Sequence, residues 1–272
     1  MSQDFIANAR MYAVAPGAAA AWKRLFAWLA TDAGVPLTVI DHAFPAKLGE
    51  VWARDDLAAA FMCGWPYLRQ GARQQIVAAP VPSHSRSGGR PVYATLFAVR
   101  ADSRFETLPD TFGHRFAFTI EDSHSGYNAP RQHLMAFRKS PGEALFREVV
   151  GPLTTPRRML EAIADGRTDV GPLDSFAFDL LSRHEPQLTA LVRVVAATEL
   201  VPIPALMAAA GTPHDIVNAL RASLLRLADA PVAAELRADL CISGFALLDP
   251  ATYSIAEDWA QKAEAAGFGI IR

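Results

Sequence analysis

The chain is 272 residues long, 51% hydrophobic, and carries 26 basic against 28 acidic residues for a formal net charge of −2. That length supports one large or two smaller cores. The balanced charge, with no run of one sign, excludes a nucleic-acid footprint and a polybasic membrane patch, so the expected partner is a small molecule.

Residues 1–10 lack the charged start and apolar core of a secretory signal, so the chain as written is expected to stay in the cytoplasm. Residues 6–14 read as a first strand. Trp22, Leu25, Phe26 and Leu29 recur at helical spacing, which predicts an amphipathic helix over about 18–30. Even this stretch, broken by Lys23 and Arg24, falls short of the roughly 20 apolar residues of a membrane span, and no direct membrane insertion is expected. A second strand is expected over 36–41 and a buried third over 57–63, ending in a turn at Gly64-Trp65-Pro66-Tyr67. A polar loop, 83–91, then leads into the β-rich run 92–100.

Beyond it come strand 115–120, a helix ending near Phe137, a short strand 145–150, a helix over 157–164, strand 169–173 and a helix over 175–181. A second long β run, 191–197, is stopped by Pro202 and Pro204. After a segment at 205–210, helices are expected over about 213–228, 232–240 and 255–265.

Strand-like runs alternating with helical patterns predict an α/β fold with largely parallel sheets. The two long β runs bracket a central block, as when a chain leaves one lobe, builds a second and returns. The expected division is a discontinuous first lobe, 1–95 plus 199–272, around an inserted lobe, 96–198. Two crossing strands, near Thr95–Val99 and Val194–Thr198, would form a hinge beside an interdomain cleft, a preferred place for small ligands.

Cys63 and Cys241 lie far apart and fit no metal-ligand spacing, so neither a disulfide framework nor a metal site is expected, and no cofactor is implied. Ser-x-x-Lys, Gly-x-Ser-x-Gly, His-Glu-x-x-His and Walker A patterns are all absent. None of the seven histidines stands out as an acid or base, and no catalytic residue is assigned. The informative stretch is Asp122-Ser123-His124-Ser125-Gly126-Tyr127, where an apolar strand gives way to a helical pattern. Unpaired N–H groups at a helix start, with serine hydroxyls beside them, make an anion cradle; a plain helix cap is the other reading. Gly126 lets the backbone approach a ligand or take a positive φ.

Asp110, Gly113 and this strand, S-x-S-G, helix order resemble the phosphate, phosphite and phosphonate binding proteins of ABC importers, a family with the type II periplasmic-binding-protein fold. The similarity continues in Met11-Tyr12, Cys63-Gly64-Trp65-Pro66-Tyr67, Gly166 with Asp169 and Asp174, and Thr198 followed by Pro202 and Pro204. The resemblance implies a two-lobed solute-binding protein in the periplasm that captures a small oxyanion, phosphonate, phosphate or a related phosphorylated compound, with an ABC permease as partner. Alternatives on the same fold are a cytoplasmic enzyme, like chorismate dehydratase or the pyrimidine-precursor synthases of thiamine synthesis, and a ligand-sensing regulatory module.

In this resemblance Ser123, His124 and Ser125 grip the anion through hydroxyls and N–H groups. Family members commonly place threonine between the serines; the ring of His124 would add a pH-dependent contact or else be an exposed histidine with no role beyond its backbone. Tyr67 and Tyr12 face the cleft or belong to the core, and Tyr93 faces the cleft or the sheet. Asp174 caps the helix that follows it or contacts a proton or cationic group on the ligand. Where many relatives carry Ser-His, Pro156 replaces that histidine; Thr155 supplies a hydroxyl and Arg157 a charge there, or Thr155-Pro156 is a plain helix start with proline in the first turn. His133 is expected at the surface.

Overall fold

The computed structural model describes residues 4–140, 142–269 and 271, which group into two compact units, Met1–Val92 with Pro202–Thr252 and Tyr93–Val201 with Tyr253–Arg272. The first unit begins with β1 (Phe5–Asn8), α1 (Pro16–Ala33), β2 (Leu37–Val39), α2 (Leu48–Trp52), β3 (Leu57–Met62), α3 (Gly64–Arg69) and β4 (Gln75–Pro82). A short strand, β5 (Val92–Tyr93), stands at its boundary. The second unit holds β6 (Thr95–Arg100), β7 (Arg115–Ala117), α4 (Ala129–Leu134), β8 (Glu148–Val150), α5 (Pro156–Ala164), β9 (Val170–Asp174), α6 (Ser175–His184), α7 (Pro186–Thr189) and β10 (Val192–Ala197). The chain passes back at β11 (Val201–Pro202), adds β12 (Ala205–Ala208), α8 (His214–Arg226), α9 (Ala234–Asp239) and β13 (Ile242–Ala246), and closes with α10 (Ser254–Ala265) in the second unit.

The sheet of the first unit runs β13-β4-β12-β3-β1-β2. Strands β1, β2 and β3 pair in parallel, while β12 pairs antiparallel with both β3 and β4, and β13 antiparallel with β4. Every residue of β3 is buried, as expected of a strand covered on both faces. On one face Trp22 of α1 and Tyr12 both meet Phe61 edge to face, at ring centroids of 4.8 and 4.9 Å.

The sheet of the second unit runs β10-β6-β9-β7-β8. Here β7 pairs in parallel with β8 and β9, and β6 lies antiparallel between β9 and β10. The expectation of largely parallel sheets is therefore corrected: both are mixed, because strands that return after the crossing points enter antiparallel. The core includes Phe97, Phe116, Phe146 and Val170, and the carboxy-terminal Phe268 and Ile271 pack into it.

Two expected boundaries shift. The crossings fall at Val92/Tyr93 and Val201/Pro202, just outside the expected 95/96 and 198/199, so that β6 and β10 lie wholly in the second unit and pair with each other in its sheet. Residues 253–272, expected in the first lobe, belong to the second unit, because α10 packs its apolar face, Ala256, Trp259 and Ala260, toward α4 and the helical turn before it. The expected turn at 64–67 is the short helix α3, since Pro66 sits in its first turn where its missing N–H has no role.

Candidate functional site

Strand β7 stops at Ala117, and the chain crosses Thr119 and Ile120 before Ser123 caps a helical run that opens as a π-turn, His124–Asn128, and continues into α4. Ser123 Oγ accepts the N–H of Gly126 at 2.9 Å. As in any helix start, the first N–H groups, those of His124 and Ser125 here, have no partner within the helix. The loop is tied down twice: Thr119 N–H donates to Gly126 O at 3.3 Å, and Thr95 Oγ1 donates to Ser125 O at 2.9 Å. Gly126 is required by contact rather than by dihedral, since an ideal Cβ there would stand 1.7 Å from Thr119 Oγ1. The expected positive φ is not used at this glycine.

His124 departs from both expectations for its ring. It is 3% exposed and stacks on Trp259 of α10 at 5.5 Å between centroids. Its Nδ1 lies 3.2 Å from Asn128 Nδ2, and its Nε2 is buried without a hydrogen-bond partner among the described residues. Burial lowers its pKa to about 4, so the ring is neutral at pH 7 and brings no titrating charge. The ring of Tyr93, itself buried, lies 6.5 Å from it between centroids.

Asp174 ends β9 and caps α6, its Oδ1 accepting from Phe176 N at 2.9 Å and Ala177 N at 3.0 Å. The following Ser175 exchanges two bonds with Ala94, through N–H to Ala94 O and from Ala94 N–H to Oγ. Thr95 N–H donates in turn to Thr198 Oγ1 at 3.0 Å, so the ends of β6, β9 and β10 and the serine loop share one local network. Thr155 caps α5 by accepting from Arg158 N at 3.2 Å, with Pro156 in the first turn. Arg157 is not a spare charge: it bridges Glu161 and Glu185. Of the two carboxylates after Gly166, Asp169 pairs with Arg115, whose Nη2 also reaches Gly166 O. Gly166 takes the left-handed φ of 70° that ends α5.

Tyr12 and Tyr67 belong to the first unit and the other candidates to the second. Tyr12 is fully buried, its carbonyl accepting from Trp22 Nε1 at 3.1 Å; Tyr67 lies on α3, and burial raises its pKa. His133, expected at the surface, rests half-buried with its ring 5.2 Å from that of Phe97, and burial lowers its pKa. Sequence reasoning missed Thr95, Thr119, Asn128 and Trp259, whose roles depend on strand ends and a terminal helix that no local pattern links. Among the described residues no cluster of His, Cys, Asp or Glu is placed to hold a metal, and no helix is long and apolar enough to cross a membrane.

The sequence model for the ABC transporter phosphonate, periplasmic substrate-binding protein family matches residues 15–253. The chain belongs to that family. Its members are substrate-binding proteins rather than enzymes, and the role of this chain is solute binding. No curated protein matches it in sequence. Among solved structures, a binding component of an ABC phosphonate transporter from Pseudomonas aeruginosa superposes with a TM-score of 0.80 at 18% identity, over 97% of this chain and 89% of that one. PhnD1 from Prochlorococcus marinus, in complex with methylphosphonate, gives 0.78 at 14% identity, over 97% and 99%. A Xanthomonas citri protein bound to ATP gives 0.67 at 20% identity, over 97% and 99%. These likenesses establish the two-lobed type II binding-protein fold that the sequence resemblance implied.

Proposed function

We propose that this family member captures a small phosphonate, phosphate or related phosphorylated oxyanion, in the periplasm, and delivers it to an ABC permease. The observation that carries this reading is the start of the helical run at Ser123–Ser125, held open by its ties to Thr95 and Thr119. A helix start of this kind offers N–H donors and the positive end of the dipole to an anion. Ser123 spends an oxygen lone pair on its cap but keeps its O–H proton to donate, and Ser125 adds a second hydroxyl.

Asp174 constrains the ligand. A carboxylate repels a fully ionised oxyanion, so its place in the site calls for a ligand with a protonated oxygen or a cationic group, as in an aminoalkylphosphonate. Tyr12, Tyr67 and Tyr93 then shape the pocket around the ligand's remaining atoms, and Thr155 adds a hydroxyl at the start of α5. Methylphosphonate, the ligand of PhnD1, is the natural first probe.

The experiment is isothermal titration of the purified protein with methylphosphonate, 2-aminoethylphosphonate, phosphate and sulfate, repeated on the Ser123→Ala/Ser125→Ala double variant. With each hydroxyl bond contributing about 1–2 kcal/mol, the variant should bind roughly 10- to 1000-fold more weakly. Unchanged affinity in the double variant removes the anion loop from the site.

A further inference from the structure

The side-chain amide of Asn128 is oriented from two sides by groups with only one hydrogen-bonding role. Its Nδ2 faces the carbonyl of Ala256 at 2.8 Å, and a carbonyl only accepts. Its Oδ1 faces Arg131 Nη2 at 3.1 Å, and a guanidinium only donates. Arg131 is itself buried and anchored by Nη1 to Gly269 O at 2.7 Å. The second proton of Asn128 Nδ2 therefore points at His124 Nδ1, 3.2 Å away, and that ring nitrogen has to accept. An accepting Nδ1 leaves the imidazole proton on Nε2, which is buried and has no partner among the described residues. A buried donor left without an acceptor is costly and rare, and asks for a ligand or a water.

We propose that Asn128, oriented by Arg131, locks His124 as the neutral Nε2–H tautomer, so that the ring presents one uncharged donor to an oxygen of the bound anion. Trp259 of α10 completes the arrangement by stacking on the imidazole at 5.5 Å between centroids, which fixes the plane of the ring. The inference rests on the oxyanion reading above and assigns Asn128, Arg131 and Trp259 as positioning residues for it. A neutral donor accepts a charged or a protonated ligand oxygen alike, whereas an imidazolium would tie affinity to pH.

The titratable groups on the elements packed against His124 are Tyr93 on β5, Asp174 at the end of β9, Tyr253 just before α10 and Glu257, Asp258, Lys262 and Glu264 along it, with Tyr127, Arg131 and His133 on its own run. Burial, rather than any of these charges, keeps the ring neutral.

The test has a ligand-free arm and a binding arm. In the unliganded wild type at pH 7, long-range proton–nitrogen NMR should show His124 as the Nε2–H tautomer, and in N128D, where a carboxylate faces Nδ1, the ring should protonate at higher pH. An Nδ1–H or charged ring in the wild type overturns the lock. In the binding arm, His124→Phe keeps a ring on Trp259 without the donor and should bind methylphosphonate and inorganic phosphate about 10-fold more weakly, with His124→Gln recovering part of the loss. The wild-type to His124→Phe affinity ratio should stay constant between about pH 5 and 8, because the ring does not titrate there. Equal affinity in His124→Phe overturns the donor role. A wild type that binds neither probe overturns the donor role together with the phosphonate reading, and the NMR arm then decides the lock by itself.

Discussion

The backbone of the serine loop lies so near the end of β7 that residue 126 has no room for a side chain: an added Cβ would stand 1.7 Å from Thr119 Oγ1 and 2.8 Å from Thr119 Cβ. Gly126→Ala should therefore cost about 1–3 kcal/mol or more through overpacking, read as a lowered midpoint in urea unfolding. Removing the hydroxyl with Thr119→Ala should recover only part of that loss, because the Thr119 Cβ remains in the way. Asp174 raises a different question, since one oxygen of its carboxylate caps α6. Asp174→Ala should lose about 1 kcal/mol of stability with the cap, whereas Asp174→Asn, an equally good cap, should hardly change it. Both should weaken binding of an aminoalkylphosphonate if the charge meets the ligand; an Asp174→Asn that binds as the wild type would leave Asp174 as a cap alone.

At the scale of elements, the second unit depends on a helix that arrives last in the chain. Trp259 of α10 is 6% exposed where the helix packs on the run that begins at His124, so Trp259→Ala should destabilise the protein by about 3–5 kcal/mol. Hydrogen exchange should localise that loss to the second unit. The Arg115–Asp169 pair joins β7 to the turn before β9, and although burial pushes the Asp169 carboxyl up, the Arg115 guanidinium holds it below the usual carboxylate range. A depressed acid contributes stability that is present above its unfolded pKa and lost as pH falls through its folded pKa. Arg115→Met should then be less stable than the wild type at pH 7, and the gap should narrow as unfolding is followed below about pH 4.

How much of this was legible in the sequence follows from how local each signal is. Helix α1 shows itself in the spacing of Trp22, Leu25, Phe26 and Leu29, all on one buried stripe. Strand β4 does not, because Pro80 and Pro82 break its pattern. The structure tolerates them because pairing with β12 runs only from Gln75 to Ala78, leaving β13 as the neighbour at the prolines. Strand β13 is hidden by Gly244, which sits at a register shift and would place a Cβ 3.1 Å from that of Ala228. Within the candidate site, the helix caps at Ser123 and Asp174 were readable from residue types alone, whereas an anion-binding role for the S-x-S-G stretch was favoured over a plain cap only with the family resemblance. The burial of His124 was not, since it is set by Trp259, and nothing in the sequence near residue 124 announces a tryptophan packed on it.

For the whole molecule, the division of candidate residues between two units makes a prediction that neither unit makes separately. If Tyr12 and Tyr67 of the first unit and Ser123 and Ser125 of the second contact one ligand, its binding free energy must stabilise the fold of both. At 100 times the dissociation constant that amounts to about 2.7 kcal/mol for the protein as a whole. Saturating methylphosphonate should thus slow amide exchange in residues 64–69 as well as in residues 123–129. The Ser123→Ala/Ser125→Ala variant, at the same ligand concentration, should lose the protection in both segments together, because in this scheme both depend on the anion that the two serines hold. Protection gained in 123–129 alone would place the whole site on the second unit and return Tyr12 and Tyr67 to core packing, a role that the burial of both side chains already suits.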